Sequence, residues 1–148
     1  MTIELDVQVA SASDSVPGKA CFQRWVEVAL QEHAEAHLAI RVVDREEGAE
    51  LNLRYRSLPG PTNVLSFTAE LPAEIDFPLL GDIVICAPLV AEEALEQGKD
   101  PEAHWAHLVI HGVLHLLGFD HQTRQDAHRM EAQETALLAS LGYPDPYE

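Results

Sequence analysis

The sequence predicts an α+β domain: a small mixed β-sheet covered by helices, with one histidine-bearing helix at its centre as the metal-binding element. Three observations predict it. Stretches with the period of two of half-buried strands mix with stretches of helical period, without the strict alternation of a doubly wound sheet. The run GDIVICA is apolar without alternation, which suits a strand buried on both faces. The segment after Asp100 is apolar around most of a helical circumference and carries histidines on the remainder.

Taken in order, Ile3, Leu5, Val7 and Val9 alternate with polar residues and predict a first strand. SASDSVPG is a loop leading to a helix from Lys19 to about Ala34, where Phe22, Val26, Ala29 and Leu30 recur at helical spacing. Leu38, Ile40 and Val42 predict a second strand, ended by Asp44. Asp44 and Glu47 resemble a capping box, so Arg45 to about Tyr55 reads as a helix, although Leu51, Leu53 and Tyr55 also alternate. After the SLPGP turn, TNVLSFTA suits a third strand, and Glu70 to Leu80, with two prolines, a surface loop. GDIVICA follows, then a helix opened by Pro88 and stopped by Gly98. Asp100 and Pro101 start the histidine helix, about 17 residues and about 26 Å long. Thr123 and Asp126 cap a last helix whose stripe of Ala127, Met130, Glu134, Leu137, Leu138 and Leu141 is mainly apolar and packs on the histidine helix.

Within HGVLHLLGFDH, His111 and His115 stand four residues apart, so both project from one helix face about 6 Å apart along the axis. Gly118 falls where a helix takes a left-handed cap, and the turn can bring His121 back to the same ion. Three nitrogen ligands leave a fourth position open, as in catalytic zinc sites. A lone histidine in an apolar helix is more often a hydrogen-bonded core residue; the set with its glycine is what favours a metal. His107 and His111 form a competing pair, but only His115 is near enough to the Gly118 turn to pair with His121. His104 and His107 read as neighbours of the site or as polar helix face. The spacing is that of the zinc-protease pattern HExxHxxGxxH, except that Gly112 stands where that pattern has its general-base glutamate.

Residues 1–148 read as one domain with room for a sizeable core. With 47% hydrophobic residues the chain is neither disordered nor a membrane span. The amino terminus lacks the basic start of a signal peptide, and Cys21 and Cys86 read as reduced buried thiols, which together point to the cytoplasm. A net charge of −16, from nine basic and 25 acidic residues, argues against a general nucleic-acid binder. Arginines 41, 45, 54 and 56 nevertheless cluster; ion-pair surface explains the first three, while an arginine aimed into a cleft binds a phosphate locally.

The stretches ELNLRYR, PTNVLSF, LLGDIVIC, EAHWAHLVIHGVLHLLGFDH and LGYPDPY, covering nearly the whole chain, resemble the YbeY endoribonucleases, small bacterial proteins of ribosomal RNA maturation and ribosome quality control. The resemblance implies one zinc ion held by His111, His115 and His121, and a functional arginine at Arg56 that binds the scissile phosphate. It implies a zinc-dependent, single-strand-specific endoribonuclease acting on 16S ribosomal RNA, with ribosomal RNA and the ribosome or its proteins as partners and no membrane. Thr62, Asn63 and Ser66 either line the same cleft or cap turns, and Asp120 either orients a ligand histidine or caps its turn. Two other readings stand beside this one: a metal-stabilised ribosome assembly factor without catalysis, and, less well supported, a zinc protease.

Overall fold

Alternation in the first half of the chain builds most of a sheet. In the computed structural model, which describes residues 2–148, strand β1 is Thr2–Ala10 and β2 is Glu35–Val43, separated by helix α1, Lys19–Ala29. Helix α2, Arg45–Arg56, leads to β3, Val64–Thr68, and β4, Leu79–Cys86. Helices α3, Ala87–Gln97, α4, Pro101–Leu116, and α5, Arg124–Ser140, follow. The strand order is β1-β2-β4-β3, with β1, β2 and β4 parallel and β3 antiparallel on the edge, so the sheet is mixed as the sequence predicts.

The period of two divides each inner strand between two cores. Leu38, Ile40 and Val42 of β2, with Ile83 and Ile85 of β4, face α1 and α4, and all are buried. Val43, Val84 and Cys86 face the opposite side with Leu65, where Leu51 of α2 packs. Beta4 is therefore covered on both faces along Ile83–Cys86, which is why GDIVICA lacks alternation. Helix α4 packs against α1, α3, α5, β3 and β4 and is the central helix of the molecule.

Several boundaries move. Helix α1 stops at Ala29 rather than Ala34, because the Ala34 carbonyl accepts from the Thr2 N–H (2.8 Å) and Ala36 is needed as an inward-facing strand residue beside Ile3. Pairing with β1 thus extends β2 backwards. Beta4 begins at Leu79, inside the expected loop, with a register irregularity against His37 and Leu38. The expected capping box of α2 does not form: the Asp44 carboxylate accepts from the Ser11 hydroxyl and the Ala12 N–H, and Glu47 holds Arg41 at 2.6 and 3.0 Å. Asp100 and Thr123 do cap α4 and α5, accepting from Glu102 and Asp126 N–H at 3.1 and 3.0 Å. Among the described residues no helix is long and apolar enough to cross a membrane.

Candidate metal centre

The apolar arc of α4 determines where its histidines point. Trp105, Ala106, Val109, Ile110, Val113, Leu114 and Leu116 are buried against the surrounding elements, so the helix cannot roll about its axis and the strip His104–His107–His111–His115 is held in place. At Gly118 φ is +101°, the Gly118 N–H donates to the His115 carbonyl and the Phe119 N–H to the Leu114 carbonyl, both at 3.0 Å. This is a Schellman turn, and it swings His121 back beside the helix. Space is not the reason for the glycine there, since a Cβ would meet nothing within 4 Å; the left-handed backbone is.

His111, His115 and His121 each offer a nitrogen, and the donor atoms lie within 4.8 Å of one another. The Nε2 atoms of His111 and His115 are 3.1 Å apart. Two ligands of a tetrahedral zinc, each about 2.0–2.1 Å from the ion, stand roughly 3.3 Å apart. The donor set therefore fits a divalent cation. Burial, then the neighbouring His111 and His121, lowers the His115 pKa, which favours the neutral ring that ligates a metal.

His111 is oriented from behind by a residue that the sequence hid. Glu134 of α5 has no solvent exposure, and its carboxylate lies 2.8 Å from His111 Nδ1 and 3.1 Å from His107 Nε2. The Tyr147 hydroxyl donates to both of its oxygens, at 2.6 and 3.0 Å. Burial alone would raise the Glu134 pKa, but hydrogen bonds from His107, His111 and Tyr147 prevail and bring it down to about 2. An ionised carboxylate on Nδ1 places the proton there and leaves the His111 Nε2 lone pair free to face the cleft. In sequence Glu134 falls in the mainly apolar stripe of α5, and an acid among Met130, Leu137 and Leu138 is the signal that it has buried partners. His107 shares this carboxylate and so neighbours the site, while His104, on the same polar face of α4, is buried 2.9 Å from Glu93. Asp120 accepts from the His121 N–H at 2.7 Å and so caps its turn.

The three histidines open into a cleft of about 720 Å³. Thr62, Asn63 and Ser66 line it, as do Tyr55, Arg56 and Phe67. Ser66 Oγ donates to the Gly112 carbonyl at 3.1 Å, tying β3 to α4, and Asn63 Nδ2 donates to Glu93. Arg41 and Arg45 are neutralised by Glu47 and Glu92, as expected of an ion-pair surface, whereas Arg54, for which the same was expected, and Arg56, both exposed at the end of α2, have no carboxylate within 4.0 Å among the described residues. Gly112 itself faces β4: a Cβ there would lie 3.0 Å from Ile83 Cγ2, so the position that holds the base in the protease pattern has no room for a glutamate.

The family model described as Endoribonuclease YbeY matches residues 7–142. The chain belongs to the endoribonuclease YbeY family. A YbeY relative from Nitrosococcus oceani is 56% identical over 151 residues, covering 100% of this chain and 99% of its own. A second, from Stutzerimonas stutzeri, is 57% identical over 147 residues, covering 98% and 91%. Both carry the name Endoribonuclease YbeY, and membership classes this chain with nucleases that act on RNA. A solution structure of a Thermotoga maritima protein superposes with a TM-score of 0.58 at 22% identity, covering 96% of this YbeY chain and 99% of the other, and shows the shared fold.

Proposed function

We propose that this YbeY protein is a zinc-dependent endoribonuclease specific for single-stranded RNA, acting on 16S ribosomal RNA in ribosome maturation and quality control in the cytoplasm. The observation that carries the reading is the convergence of the His111, His115 and His121 nitrogens in a cleft that Arg56 also lines. His111, His115 and His121 would hold the ion, and when bound it supplies Lewis acidity, polarising a phosphoryl oxygen or making a water more acidic. Glu134 keeps His111 in the ligating tautomer. Arg56 donates to the phosphate oxygens and stabilises the charge that grows on them in the transition state. Thr62 and Ser66 add hydroxyl groups to the same wall. With a charge of −16, the protein holds free RNA weakly and depends on the ribosome or its proteins for delivery.

A structural metal in a non-catalytic assembly factor is disfavoured because α4 is anchored by its own apolar face. A protease is disfavoured by the contact of Gly112 with Ile83. The test uses purified protein with single-stranded and duplex oligoribonucleotides. Cleavage of the single strand alone is expected, abolished by chelation or by His115→Ala and reduced about 10²–10³-fold by Arg56→Ala. Undiminished cleavage by either variant would overturn the assignment.

A further inference from the structure

We propose that Tyr55 and Phe67 form a stacking subsite for an unpaired nucleobase of RNA, beside the metal cleft and reached past Arg56. This inference rests on the RNA-cleaving reading above and adds where a neighbouring nucleotide is held. Tyr55, in the last turn of α2, is a large aromatic residue with 58% of its surface exposed. It meets the half-buried Phe67 of β3 edge to face, with ring centroids 5.0 Å apart and 65° between the planes. The Arg54 guanidinium lies 6.0 Å from the Tyr55 centroid. The ring is thus braced from two sides without being covered, which costs little further ordering on binding.

The position of the pair gives it meaning. Tyr55 and Phe67 line the cleft of the three histidines and also a second groove of about 460 Å³ over the sheet, so they form the wall common to both. A strand whose phosphate sits at Arg56 can lay a flanking nucleotide over these rings, which line the same cleft. The charges select which part of that nucleotide enters. Among the described residues, Arg54 and Arg56 have no carboxylate within 4.0 Å, whereas Arg41 in the second groove is taken by Glu47. The exposed Asp82 carboxylate also lines that groove, with no cation within 4.0 Å among the described residues. The cations are therefore at the cleft edge, where the backbone runs, and the groove beyond repels phosphate while offering an apolar floor and an acceptor to a base. An unpaired base can turn out to reach it and a base stacked in a duplex cannot, so the subsite favours single-stranded over duplex RNA.

The test mixes zinc-loaded protein in a stopped-flow instrument with single-stranded RNA carrying 2-aminopurine at successive positions, so that binding is read before cleavage. One position is expected to be quenched by the wild type, and by Tyr55→Phe. Tyr55→Ala, at an exposed site, should fold with an unchanged circular dichroism spectrum, lose the quenching, and bind about tenfold more weakly. An abasic nucleotide at the quenched position should weaken wild-type binding by a similar factor and remove the difference between wild type and Tyr55→Ala. If wild type binds and cleaves RNA but Tyr55→Ala binds equally well, or if its deficit persists with the abasic strand, the subsite is wrong and the nuclease reading survives. If the wild type neither binds nor cuts single-stranded RNA, both fall together.

Discussion

Glu134 is a charged side chain held out of water, and it orients His111 of the candidate metal centre. Glu134→Gln preserves the volume but removes the charge that fixes the His111 tautomer. The variant is expected to fold and to bind zinc about 10–100-fold more weakly, measured by competition with a chelator. The same residue predicts a pH response. Its pKa is lowered from 4.5 to about 2 in the folded protein, so it contributes stability above its unfolded value. That contribution is lost as pH falls from about 4.5 towards about 2, and the melting temperature of the metal-free protein should drop over this window, less steeply for Glu134→Gln. At this scale the histidines were legible because ligand spacing along one helix is a local property. Glu134 was not, because the partners that make sense of a buried acid lie 23 and 27 residues away.

Between elements, α4 packs closely against β4 where Gly112 faces Ile83. Gly112→Ala places a Cβ 3.0 Å from Ile83 Cγ2, against a packed strand, and should destabilise the protein by about 1–3 kcal/mol in denaturant titration. Ile83→Val should recover part of that loss in the double variant. A Gly118→Ala change acts through the backbone instead, straining the φ of +101° and loosening His121. Sequence periodicity located every helix and strand here but misjudged their ends where a partner decides them. Residues 30–34 continue the helical pattern of α1, yet the edge of β1 recruits Ala34 and Glu35. Asp44 and Glu47 have the spacing of a cap, yet Ser11, Ala12 and Arg41 are better partners in the folded chain.

For the molecule as a whole, removal of the metal should leave the fold standing. The apolar core beneath α4 runs from Ile3 to Leu138, while His111 and His115 are half-buried and His121 is exposed, outside that core. Chelated protein should keep its far-ultraviolet spectrum and lose RNA cleavage, while added zinc raises the melting temperature by mass action. Loss of the spectrum on chelation would instead favour the structural-metal reading. Salt provides a second check. With Arg56 in the cleft and Arg54 beside Tyr55 at its rim as the cations available to phosphate, the logarithm of RNA affinity should fall against the logarithm of salt with a slope between about −1 and −2, at about 0.7 per contact. A much steeper slope would mean that the footprint extends well beyond the cleft.

The walls of the cleft come from residues 55–68, while His111, His115, His121 and Glu134 all follow residue 110. During translation the sheet and Arg56 emerge first, and the donors only afterwards. A chain that ends before α4 therefore has the cleft wall with Arg56 but lacks the three histidines and the glutamate behind them, so the site is completed only when α4 and α5 have docked.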